Sequence, residues 1–196
     1  FSNERFYKNQ LIAAPAVADW QLEISDNASV IFIDTAGCGF NEETNPETLS
    51  RLNKGEFFIL REHFLKLIED LTQKQSEPPS MAIISPYRSQ CQHIEDEFCE
   101  EENLKKYFPY LDIDTIDAFQ GQERDLIYIS LVRSNEKSEI GFLSDYRRMN
   151  VAMTRAKKQL IVIGDSATIG NDPFYGAFLD YAEREGVYQS AWEYMS

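Results

Sequence analysis

Residues 117–131 read "DAFQGQERDLIYISL", a polar turn that runs straight into a strand. From Leu126 to Val132 the side chains are apolar or small on consecutive positions. That is the pattern of a strand buried on both faces, since a half-exposed strand alternates. Val30–Asp34, Met81–Ser85, Ile113–Ile116 and Leu160–Gly164 are of the same kind. Helical patterns lie between them. Phe57, Leu60, Phe64, Leu67, Ile68 and Leu71 fall close to a 3.6-residue period within Leu52–Leu71, before the breaker run "SEPPS". Ser89–Glu102, Asp145–Lys158 and Pro173–Arg184 are further helices, the last with its proline suited to a first helical turn. Strands alternating with helices predict an α/β fold: a doubly wound parallel sheet with helices on both faces and ligands at the carboxyl ends of its strands. The first twenty residues show no clear period.

The 196 residues match one large domain, and 43% hydrophobic with 27% charged residues is a globular balance. Apolar runs fall far short of the ~20 residues of a membrane span, so no membrane partner is expected. The chain begins at Phe1 with neither Met nor a signal-like segment, and reads as a fragment of a longer one. Three scattered cysteines make no disulfide framework and favour a reducing, cytoplasmic setting. Cys91, His93 and Cys99 cannot converge on one metal from a helix, because His93 points away from the two cysteines. A net charge of −14 argues against a broadly basic nucleic-acid surface. Locally the balance inverts: Arg147, Arg148, Arg155, Lys157 and Lys158 stand together without an acid between Tyr146 and Lys158.

On the predicted 145–158 helix, Asp145 is a plausible N-cap, and Met149, Ala152, Met153 and Ala156 form a buried stripe. Arg148 and Arg155 then align beside it, seven residues apart. Two guanidiniums on one stripe repel unless an anion joins them, which points to phosphate as an alternative to simple surface pairing. Gly121 permits a positive φ or a close backbone approach, and Glu123 and Asp125 sit at the mouth of the following strand. Phosphate donors beside a sugar-hydroxyl acceptor suit a nucleotide.

The stretches "DTIDAFQGQERDLIYISLVRSN" (114–135) and "GFLSDYRRMNVAMTRAKKQLIVIGD" (141–165) resemble motifs V and VI of superfamily 1 helicases. They are most similar to the branch of the nonsense-mediated-decay and immunoglobulin-mu-binding helicases. "IISPYRSQ" (83–90) resembles that branch's motif IV region, and "LSRLNKGE" (49–56) its Ser-x-x-Asn-x-x-Glu helix start. "FSNERFYKNQL" (1–11) resembles the segment that follows its Gln-Tyr-Arg-Met-His-Pro motif.

The resemblance covers nearly the whole chain and implies the second RecA-like motor domain, residues 1–196, with 1–25 a peripheral lead-in. It implies an ATP-dependent enzyme moving 5′ to 3′ on single-stranded DNA or RNA. Arg155 would be the arginine finger reaching the γ-phosphate, Glu123 would accept from the ribose, and Gly121 would let backbone approach the nucleotide. Gln120 would sit between the ATP and nucleic-acid sites, and Arg148 would join the nucleotide side. Thr115 would donate to a nucleic-acid phosphate, with Pro86, Tyr87 and Gln90 touching backbone or base.

No Gly-Lys dipeptide occurs, so the chain has no phosphate-cradling loop of the G-x-x-x-x-G-K-[ST] kind. ATP and Mg²⁺ would be held by the first RecA-like domain, which makes that domain an obligatory partner. Two other readings stay open. One is an ATPase-dead homologue serving as a nucleic-acid or protein-binding scaffold. The other is an unrelated nucleotide-binding α/β enzyme, disfavoured by the absence of G-x-G-x-x-G.

Overall fold

In a computed structural model, residues 1–8, 10, 28–74, 77–119 and 121–195 are described. The elements in chain order are α1 (Ser2–Tyr7), β1 (Val30–Asp34), β2 (Glu43–Thr44), β3 (Arg51–Leu52), α2 (Lys54–Lys74), β4 (Met81–Ser85) and α3 (Arg88–Glu100). A 3₁₀ segment (Glu102–Tyr110) leads to β5 (Leu111–Thr115) and β6 (Arg124–Ser130). After a second 3₁₀ turn (Gly141–Ser144) come α4 (Tyr146–Met153), β7 (Ala156–Gly164), α5 (Ser166–Ile169), α6 (Pro173–Glu185), β8 (Val187–Ser190) and a last 3₁₀ turn (Ala191–Tyr194). Strands β5-β4-β6-β7-β1-β8 form one six-stranded sheet whose neighbours all pair in parallel. The two-residue strands β2 and β3 pair separately. The fold is a RecA-like α/β domain, as the sequence implied.

Alternate residues of the central strands serve two cores, which is why these strands read as unbroken apolar runs. Ile31, Ile33, Met81, Ile83, Leu126, Tyr128, Ile161 and Ile163 pack with α2 and α3. Phe32, Ala82, Ile84, Ile127, Ile129, Leu160 and Val162 pack with α4 and α6 on the other face. The α2 stripe from Phe57 to Leu71 is buried as its period predicted. At α6, Asp172 accepts from the amides of Phe174 and Tyr175, with Pro173 in the first turn.

Two elements depart from the sequence reading. The 145–158 helix stops at Met153, and Ala156–Lys158 already belong to β7. Ala156 pairs with Arg124, and Thr154 leaves the helix at φ −81°, ψ 0°. Strand β5 begins at Leu111 and, on the sheet edge, leaves Asp112 exposed, so it is not buried on both faces.

The "LSRLNKGE" stretch is a joint between strands and helices. Asn53 Oδ1 caps α2 by accepting from Glu56 N, and its Nδ2 donates to the carbonyls of Phe40 and Val132. Glu56 is fully buried; its carboxyl accepts from Ser130 Oγ at 2.5 Å and from Val132 N at 2.9 Å. Burial outweighs those donors and pushes its pKa up from 4.5 to about 8. His63, buried and 2.6 Å from the Tyr128 hydroxyl, is pushed down by burial from 6.5 to about 4.

These shifts fix a pH dependence. Between pH 4.5 and 8 the fold keeps a Glu56 proton that the unfolded chain has lost, so Glu56 makes stability fall as pH rises through that window. Between 6.5 and 4 the unfolded chain takes up a His63 proton that the fold refuses, so His63 makes stability fall as pH falls. The two oppose below 6.5, and of this pair only Glu56 acts above it, against the Phe1 amine, whose pKa burial lowers from 8.0. Stability is expected to decline from pH 6.5 to 8, by at most about 1.4 kcal/mol per pH unit, and Glu56→Gln to flatten that decline. Urea melts of both proteins at the two pH values test it, and equal slopes would refute the assignment.

Candidate nucleotide and nucleic-acid surfaces

The site residues divide between opposite edges of the sheet. Chain segment 116–123 leaves the carboxyl end of β5 and returns to the amino end of β6, pinned by buried Ile116 and Phe119. Its backbone closes through Phe119 N to Thr115 O (3.0 Å) and Gln122 N to Phe119 O (3.2 Å). Gly121 adopts φ +86° with open space where a Cβ would stand, so backbone conformation and not crowding requires glycine. Glu123 follows it, exposed. Gln120 lies outside the described residues.

At this amino edge Arg155 sits on the turn between α4 and β7. Its carbonyl accepts from Arg124 N at 3.2 Å, tying the α4–β7 turn to the start of β6. Arg124 itself is spent within the fold, with Nε 2.7 Å from Asp112 Oδ2 and the guanidinium over the Phe119 ring. Arg155 differs: it is 26% exposed, and Nη1 stands 3.9 Å from Glu123 Oε1, beyond hydrogen-bond reach. Its buried Nε has no hydrogen-bond partner among the described residues. Asp125 is not a ligand group; it clamps Ser80, accepting from its amide (3.1 Å) and hydroxyl (2.9 Å).

Arg148 does not stand with Arg155. The shortened helix puts Arg148 in the first turn of α4, at the carboxyl edge, where Nε meets Asp117 Oδ1 at 2.8 Å and Asp145 Oδ2 at 3.6 Å. The two arginines therefore stand at opposite edges, Arg148 bonded to a carboxylate and Arg155 not, and the expectation of one phosphate-joining stripe is corrected. Asp145 is the N-cap foreseen, its Oδ1 accepting from Arg148 N at 3.1 Å.

Thr115 ends β5 on this same edge, half-buried, its Oγ1 accepting from Ala118 N at 3.3 Å. Pro86 is also half-buried there. Gln90 is fully buried, with its carboxamide engaged by Asn53 N (2.8 Å), Asn53 O (3.3 Å) and Ser130 Oγ (3.0 Å). Tyr87 is 3% exposed, with its ring against Phe142. The expectation that Gln90 and Tyr87 touch a bound strand is thus corrected: both are enclosed by the fold.

Sequence reading missed a polar network on the carboxyl edge. Glu42 accepts from Arg133 Nε (2.8 Å), Ser134 N (3.0 Å) and Asn135 Nδ2 (3.3 Å), and pairs with Arg51. Asp165 accepts from the hydroxyls of Ser134 and Thr168, both at 2.8 Å. Glu42 stands in a polar segment without period, so nothing in the sequence marks it. Arg133, directly after an apolar strand, carried the only hint.

Comparison with known proteins agrees with this architecture. A family model described as "AAA domain" matches residues 1–167. The chain is 34% identical over 203 residues to the DNA-binding protein SMUBP-2 of Rattus norvegicus, covering 100% of this chain and 20% of that protein. It is 41% identical over 159 residues to the DNA polymerase alpha-associated DNA helicase A of Saccharomyces cerevisiae, covering 79% of this chain and 22% of the other. To Helicase sen1 of Schizosaccharomyces pombe it is 32% identical over 190 residues, covering 93% and 11%. The chain belongs to this AAA-domain family, as a C-terminal RecA-like domain of the superfamily 1 helicase type. It spans about a fifth of the length of the first two relatives. Among the described residues no helix is long and apolar enough to cross a membrane.

Proposed function

We propose that the chain is the C-terminal motor domain of an ATP-dependent superfamily 1 helicase that moves 5′ to 3′ along single-stranded DNA or RNA. The observation that carries this reading is Arg155, a partly exposed guanidinium on a fixed turn; among the described residues its buried Nε lacks a partner and its nearest carboxylate stays at 3.9 Å. A cation held in place but unsatisfied suits an anion brought by another body, here the γ-phosphate of ATP on the first RecA-like domain. Glu123 would accept from the ribose, and Gly121 would leave room for the nucleotide. The magnesium ligands would belong to the first domain, where the ion would neutralise charge on the phosphates.

On the opposite edge Thr115 and Pro86 would face the nucleic acid. We reassign Arg148 from the nucleotide to this edge, where it would exchange Asp117 for a backbone phosphate. Closing of the two domains on ATP and reopening after hydrolysis, with a different grip on the strand in each state, would advance the enzyme.

The full-length protein should hydrolyse ATP, and single-stranded DNA or RNA should stimulate the rate. The 196-residue chain alone, with half of the site, should show no turnover. Hydrolysis by the isolated chain would overturn the division of the site between two domains. A full-length protein that binds single strands without hydrolysing ATP would be the scaffold instead.

A further inference from the structure

We propose that Phe142 is a base-stacking platform for the bound single strand, an inference that rests on the function proposed above. Phe142 is 63% exposed at the carboxyl edge. An aromatic left in water is ordinary on a loose, isolated loop, and this one stands on an anchored turn beside a second ring. Its neighbours on both sides are anchored: Ile140 packs against the core, and Leu143 is fully buried with its carbonyl accepting from Tyr175 Oη at 2.8 Å. The intervening turn is closed by Leu143 N to Ile140 O (3.1 Å), Asp145 N to Phe142 O (3.2 Å) and Ser144 Oγ to Gly141 O (2.8 Å). Asn135 clasps the loop from below, accepting from Glu139 N and donating to Glu139 O, each at 3.0 Å.

Arg133 forms the floor. It is 3% exposed, and a Cβ on Gly141 would come within 2.0 Å of its Nη1, so only glycine lets the turn lie this close. Gly141 also takes φ +54°. The consequence is a fixed backbone at Phe142, which sets where its ring can reach. One side leans on the Tyr87 ring, centroids 5.7 Å apart and tilted by 48°, and the rest faces solvent.

The surroundings decide the class of ligand. Tyr87 follows β4, whose last residue pairs with Thr115. Arg88 is exposed and, among the described residues, pairs with Asp114 alone, at 3.2 Å. Arg147 and Arg148 line a shallow groove with Ile116, Asp117, Asp145 and Val151, and Arg147 makes no ion pair among the described residues. An aromatic face on an anchored turn, on the same edge as these guanidiniums, fits alternating bases and phosphates. Stacking on such a face is tolerant of sequence, because every base offers a π-surface.

The test uses the full-length protein and fluorescent oligo(dT) and oligo(U), with affinity read by anisotropy. Phe142→Ala should weaken binding by about tenfold, since one stacked base contributes on the order of that factor. Phe142→Trp should restore it, and Phe142→Leu, apolar but without a π-face, should not. On an abasic oligonucleotide the wild type and Phe142→Ala should bind alike. ATPase without a strand should be unchanged in all three. Equal affinity of wild type and Phe142→Ala for the normal oligonucleotides would overturn the proposal and leave the motor reading standing. Binding by Phe142→Leu as tight as wild type would overturn stacking in favour of plain apolar contact. A wild type that binds neither oligonucleotide would overturn the motor reading, and this inference with it.

Discussion

Arg155→Ala in the full-length protein is expected to lower strand-stimulated ATP hydrolysis by about a thousandfold, almost wholly in kcat, if the proposed finger role holds, since an arginine finger contributes roughly 10³–10⁵ in rate. Charge that develops on the transferred phosphoryl group must be met by a donor already in position, and a preorganised guanidinium meets it without reorganisation at the moment of reaction. The turn at Arg155 supplies that preorganisation: its carbonyl is held by Arg124 N and its amide by Ala152 O, each at 3.2 Å. Arg155→Lys should recover little, since an ammonium cannot reproduce the planar fork. Steady-state kinetics separate kcat from KM. A mutant with full kcat would show that Arg155 is an ordinary surface cation.

The second large effect concerns stability. Glu42→Ala should cost about 3–5 kcal/mol, because it leaves the Arg133 cation buried without its principal carboxylate. Glu42 and Arg133 side chains are 7% and 4% exposed. After the substitution Arg133 would retain only the Tyr87 hydroxyl at 3.5 Å and Glu139 at 3.9 Å, and Arg133 Nη2 already lacks a hydrogen bond. Replacing both members, Glu42→Ala with Arg133→Met, should recover much of the loss, since desolvation of the charge is then no longer required. Urea melts of the three proteins decide the matter; a loss below about 1 kcal/mol for Glu42→Ala would place the pair with ordinary surface bridges.

The central sheet was legible because its strands are buried twice over. Val30–Asp34 and Met81–Ser85 end where the sequence placed them. Edge strands lack that signal. In "LDIDT" the aspartates alternate outward, and "VYQS" at Val187–Ser190, half-buried throughout, was not anticipated. Helix α4 shows the opposite failure. Thr154-Arg155-Ala156-Lys157 contains no breaker, so the helical pattern continues in sequence, yet pairing of Ala156 with Arg124 draws the chain into the sheet. Propensity yielded there to the ladder, and the error displaced one arginine from the other. Contacts between residues far apart in sequence, such as Glu42 with Arg133 or Glu56 with Val132, leave no periodic trace at all.

The eight residues of α4 run from the edge proposed to grip nucleic acid to the edge proposed to meet ATP. From Arg148 near its start to its last residue, Met153, the helix rises by about 7.5 Å at 1.5 Å per residue, and Arg155 stands two residues beyond that end. Met149, Ala152 and Met153 seat this short rod on the sheet, all nearly inaccessible to solvent. On the function proposed above, fuel and track would be read by the two tips of a single strut. A tilt of the domain that drew one tip toward its phosphate would carry the other by an amount set by the strut's length and its pivot, and would need no relay of side chains between them.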